Sequence, residues 1–148
     1  MLITVLATQT NLVPRDKSRG IRLEILDFKG DVKQNLAKPL QPPDFLASLK
    51  KLGTQFVYSS IDPVQRLIHF AEYFCSNAII TVRNITNTDL KLKPPIKLIN
   101  LWHGGCPAIL SSEPSFQSLR QSELDYSEVR STEDAIAALQ KLKKMPNL

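Results

Sequence analysis

His103-Gly104-Gly105-Cys106 brings an imidazole and a thiol within three residues of each other. A Cys–His pair at this spacing can act as nucleophile and base, because the thiolate is the reactive form and a nearby imidazolium stabilises it. The surrounding stretch, residues 96–110, also holds the only tryptophan and two of the five glycines. A reactive cysteine of this kind needs an Asn or Asp to orient the imidazole, and none is identifiable in the sequence. Nor do the glycines form a phosphate loop, since no Lys-Ser or Lys-Thr follows them. The pattern favours a tight turn that needs glycine dihedrals, with Cys106 as a small buried apolar residue. No catalytic residue is assigned.

A metal centre finds little more support. His69, Cys75, His103 and Cys106 match the ligand types of zinc but none of its usual spacings. His69 and Cys75, six residues apart on one expected helix, point in directions about 120° apart. The acids Glu24, Asp27, Asp62 and Glu72 could serve a metal-dependent nuclease. However, Glu24 and Asp27 fall on opposite faces of a strand, and Asp62 is a helix cap. No metal and no cofactor are expected.

Charge is the more informative signal. The net charge is +5, and residues 1–60 carry nine Lys/Arg against five Asp/Glu. Arg15, Lys17, Arg19 and Arg22 share one loop and the strand after it, Lys50 and Lys51 end a helix, and Lys91, Lys93 and Lys97 cluster around Pro94-Pro95. Lysines and arginines on loops and helix ends are typical phosphate contacts. Aromatic partners for base stacking are sparse, so the expected mode is backbone tracking.

The elements that must position these residues follow from periodicity and punctuation. Apolar or alternating runs at residues 2–7, 21–25, 55–58, 78–82 and 96–102 read as strands. The first two are expected to pair as an antiparallel hairpin, and residues 108–110 as a short return strand. Pro42-Pro43-Asp44 opens a helix that Gly53 closes. Asp62-Pro63 opens a second helix through residue 75, and Ser131 caps a third. Residues 54–83 form a strand–helix–strand unit, with the linkers favouring a right-handed crossover. Residues 83–95 read as a polar loop and 111–130 as an irregular connection, with a short helix near Phe116. The expectation is a single α/β or α+β domain over residues 1–148, a mixed sheet of about five strands with about three helices packed on it.

In size, basicity and α/β make-up the chain resembles the small accessory subunits of type III CRISPR effector complexes. The resemblance lies in these global features and carries over no site residue. It implies a non-enzymatic subunit of a nucleoprotein complex in antiviral defence, touching partner proteins and the backbone of RNA rather than DNA. Leu101, Trp102, Ile109 and Leu110 are the expected partner interface. The N-terminus lacks a basic leader region and no apolar run reaches membrane-spanning length, so a cytoplasmic protein without membrane contact is expected. The alternatives are a small enzyme using the His103/Cys106 turn, or a regulatory domain binding a small anionic ligand near Ser59–Asp62, at the carboxyl end of a strand.

Overall fold

A computed structural model describes residues 25–28, 40, 43–58, 76–83 and 87–145. Over these residues the chain runs β1 (Ile25–Phe28), α1 (Pro43–Lys51), β2 (Gln55–Tyr58), β3 (Ala78–Thr81), α2 (Asn87–Leu92), α3 (Ile96–Gly104), β4 (Ala108–Ser111), α4 (Pro114–Gln117), β5 (Ser127–Val129) and α5 (Thr132–Lys144). The five strands form one sheet in the order β2-β1-β3-β4-β5. Among the described residues every pairing is parallel, where antiparallel pairs were also expected. This is the flavodoxin-like order of a doubly wound sheet. β2 lies on one side of β1 and β3, β4 and β5 lie on the other, so the strand order reverses between β1 and β3.

Alternation along the strands builds two cores. Leu26, Phe28, Ala78, Ile80, Ile109 and Val129 meet Phe45 and Leu49 of α1 and Ala135, Leu139 and Leu142 of α5 on one face. Ile79, Ala108 and Leu110 meet Leu98 and Leu101 of α3, Phe116 of α4 and Tyr126 on the other. Coverage of both faces is why all four residues of β3 are buried and why the inner strands read as continuous apolar runs. Each fully buried Leu or Phe contributes about 1.5–3 kcal/mol. Polar groups fix the register at the amino ends of β1 and β3. The Asn77 amide donates to Ile25 O at 3.0 Å, and its side-chain Oδ1 accepts from Ile25 N at 2.8 Å. Buried Asp27, one of the suspected nuclease acids, accepts from Ser76 Oγ at 2.7 Å.

The largest departure from expectation is residues 96–102, a helix rather than a buried strand. Leu98 and Leu101 are three apart and both buried, as one helical face requires. Pro95 stands before the first turn, and Gly105 adopts φ 66° just after the last. The Cys106 amide donates to Leu101 O at 3.0 Å and the Gly105 amide to Trp102 O at 3.1 Å, the paired bonds of a Schellman ending. Gly53, with φ 67°, ends α1 in the same way, its amide donating to Lys50 O and the Thr54 amide to Leu49 O. The return strand at 108–110 is therefore β4, parallel to its neighbours. The polar loop contains α2, and the connection at 111–130 contains α4 and β5. At α5 the reading holds: Ser131 Oγ accepts from the Asp134 amide. The strands expected at residues 2–7 and 21–24, and the helix at 62–75, lie outside the described residues. No helix among the described residues is long and apolar enough to cross a membrane.

Gly105→Ala should lower stability by about 1 kcal/mol, because the left-handed ending then carries a Cβ. Urea unfolding measures this, and an unchanged midpoint would show that the ending does not need glycine.

Candidate anion-binding site

In open α/β sheets ligands sit outside the carboxyl ends of the strands where the strand order reverses. Here that place lies beyond Phe28 of β1 and Thr81 of β3. Arg83 stands two residues past β3, Ser111 and Glu113 close β4, and α3 begins beside them with Lys97 in its first turn. Arg83 Nη1 lies 3.3 Å from Glu113 Oε2, with side-chain exposures of 7% and 0%. Ser111 Oγ donates to Glu113 Oε1 at 2.7 Å. The Arg83 guanidinium also covers the Phe116 ring, 5.6 Å from its centre.

Lys97 completes the group. Its Nζ sits 5.6 Å from the centre of the Phe28 ring. Partial burial, then repulsion from Arg83, bring its pKa from 10.5 down to about 8; Glu113 opposes this and Lys93 adds to it. Arg83 and Lys97 thus stand with one carboxylate, whose Oε1 accepts from Ser111 Oγ and whose Oε2 faces the Arg83 guanidinium without a hydrogen bond. The amino end of α3 has no acid in its first turn and no side-chain cap, so its free amides add positive potential. Thr81 shares the α3-facing side of β3 with Ile79, and its buried Oγ1 has no hydrogen-bond partner. Near neutral pH Lys97 is mostly protonated, so the site holds binding charge.

The expected site residues separate. Lys91 and Lys93 are exposed near this edge, and Lys97, expected with them as a nucleic-acid contact, is half-buried. Lys50 and Lys51 end α1 beside the start of β2, at the opposite edge of the sheet. The lysines therefore do not form one face. Arg15, Lys17, Arg19 and Arg22 lie outside the described residues, as do Ser59–Asp62, Glu24, Glu72, His69 and Cys75. Of the expected partner interface, Leu101, Ile109 and Leu110 are core residues; only Trp102 offers surface. Their apolar character reflects sheet packing. His103 is exposed in the last turn of α3, whereas Cys106 is buried and its Sγ donates to Ser76 O at 3.9 Å. That is a packed thiol rather than a poised nucleophile. Among the described residues, no three His, Cys, Asp or Glu side chains gather to hold a metal ion.

Arg83 and Glu113 were not expected at a site. Their pairing spans 30 positions and depends on the β3–β4 register. The available signal was position, since each follows an apolar strand run. No protein-family model, curated protein or solved structure matches the chain.

Lys97 makes stability depend on pH. Between about pH 8 and 10.5 the folded chain has released a proton that the unfolded chain keeps, so stability rises with pH across that window. Below pH 8 the cost of holding the buried charge is fully present. Urea unfolding at pH 7, 8 and 9.5 should show this rise, and Lys97→Met should remove it while stabilising the protein at pH 7. A variant that keeps the full rise would place its origin elsewhere.

Proposed function

We propose that this chain is a cytoplasmic, non-enzymatic regulatory module that binds a small anionic ligand at the carboxyl edge of its sheet. The observation that carries the reading is the charge imbalance at the strand-order reversal. Arg83 and Lys97 stand with the single carboxylate of Glu113 beside an uncapped helix end. A phosphoryl or carboxylate group placed there would neutralise the surplus, accept from the first-turn amides of α3 and give Thr81 a partner. Flavodoxin-like sheets serve both as flavin carriers and as signalling receivers, and fold alone does not choose between such roles. The choice of binding over catalysis rests on Glu113, which is fully buried, ion-paired with Arg83 and hydrogen-bonded by Ser111.

Inorganic phosphate at pH 7 should raise the melting temperature above that in chloride of equal ionic strength. Lys97→Met should weaken phosphate binding by about tenfold, the worth of one charge-assisted hydrogen bond. Lys50→Met should leave it unchanged. Equal stabilisation by chloride, or full phosphate binding by Lys97→Met, would overturn the reading.

Contact with an RNA backbone, as a subunit of a nucleoprotein complex, is supported by a different group. α1 and α5 pack on one face of the sheet and end at its amino edge, where Lys50, Lys51, Lys143 and Lys144 gather. Lys143 Nζ donates to Leu52 O, tying the two helix ends together. Reversing Lys50, Lys51 and Lys144 to Glu should lower RNA affinity and reduce the salt slope by about three, one unit for each phosphate no longer neutralised. An unchanged slope would remove RNA binding from this edge.

A further inference from the structure

A cavity among the described residues lies at the amino edge of the sheet, away from the anion site. It is a half-open cleft of about 300 Å³ between the end of α3, the start of β4, residues 123–127 and the last turns of α5. We infer that it is a preformed binding site for a neutral, apolar small molecule of about the size of a bicyclic aromatic.

Its walls are held before any ligand arrives. Trp102 is 41% exposed, yet its indole Nε1–H donates to Asp125 O at 2.9 Å, which fixes the ring. The loop that presents Asp125 is itself stapled. Asp125 Oδ2 accepts from the Gln121 and Ser122 amides at 2.6 and 2.8 Å. Arg120 Nε donates to Ser122 O at 3.2 Å, and its guanidinium lies 4.9 Å from the centre of the Tyr126 ring. A large aromatic held in place while still exposed suits a face that a ligand covers. Preorganisation of this kind spares the ligand the entropy of ordering the site. Leu124, at 76% exposure, overhangs the same cavity.

The choice of ligand follows from which polar groups are already engaged. The lining is mainly Leu101, Trp102, Cys106, Tyr126, Leu142 and Met145. The Trp102 N–H is taken by Asp125 O, the Cys106 thiol by Ser76 O and the Tyr126 hydroxyl by Glu128 Oε2. At the rim Lys141 pairs with Glu123 at 3.8 Å, and both Asp125 bonds go to backbone. The charged groups Glu123, Asp125 and Lys141 stand toward solvent at the rim, whereas the indole N–H, the thiol and the phenol of the inner wall are already engaged, so polar groups of a ligand buried against that wall would be left unpaired. A neutral apolar body matches what the walls offer. The volume stands at the lower end of the range for small-molecule pockets.

The test uses the intact chain and indole as probe, at pH 7. Trp102 gives a single indole N–H signal in a ¹⁵N-labelled sample. Indole should shift this signal and the Cys106 amide saturably, with half-saturation near about 1 mM for so small a ligand. It should also slow alkylation of Cys106, read by peptide mass analysis, at least threefold at saturation. Trp102→Ala should abolish that protection, and Leu124→Ala, which removes an exposed side chain, should weaken it without unfolding the chain. Inorganic phosphate should move neither signal, so the outcome is independent of the carboxyl-edge site. Shifts that grow linearly without saturating, protection that survives in Trp102→Ala, or competition between phosphate and indole would each overturn the assignment.

Discussion

A wholly parallel sheet cannot be closed by hairpins. Each strand must be followed by a connection that climbs over one face and re-enters at the same edge. All else in this molecule depends on that constraint. It forces apolar residues onto both sides of β3, sends α1 and α5 to one face and α3 and α4 to the other, and makes every strand end at one rim. It also sorts the charges. Whatever follows a strand collects at the carboxyl rim, and whatever ends a returning helix collects at the amino rim. Arg83, Glu113 and Lys97 are neighbours for the first reason; Lys50 and Lys144 share a rim for the second.

The two rims consequently differ in chemistry. At the carboxyl rim, positive charge accumulates where helix dipoles already point positive ends, an arrangement that raises energy unless an anion relieves it. At the amino rim, lysines sit at helix carboxyl ends, where the dipole welcomes them. The lysines at the end of α5 are thus accounted for by helix stability alone. Lys97, at the start of a helix and half-buried, is not. This contrast is why the surplus at the strand-order reversal carries more functional weight than the larger number of lysines elsewhere.

Local signals in the sequence reached the elements with strong punctuation. β2 and β3 stood out as apolar runs, α1 by its opening prolines and Gly53, and α5 by Ser131. Residues 96–102 misled because their apolar positions fit alternation and three-residue spacing equally well. Pro94-Pro95 before them and Gly105 after them were the helix signals, and they outweigh periodicity in so short a segment. α2 has six residues and β5 three, too few for either period to register. The parallel sense of the sheet was hidden because it is set by coverage of both faces, which no single strand reports. In the candidate site Lys97 was legible as a basic residue near a proline pair. Its burial against Phe28 was not, because that contact joins the end of β1 to the first turn of α3 through the fold.

α3 spans nine residues from Ile96–Gly104, and it has work at both ends. Its first turn presents Lys97 to the carboxyl rim, and its last turn presents Trp102 to the amino-edge cavity. Between them Leu98 and Leu101 lock the helix to the sheet. It is therefore a fixed strut laid across the molecule, which holds the two rims at a constant separation and lets each be filled without disturbing the other.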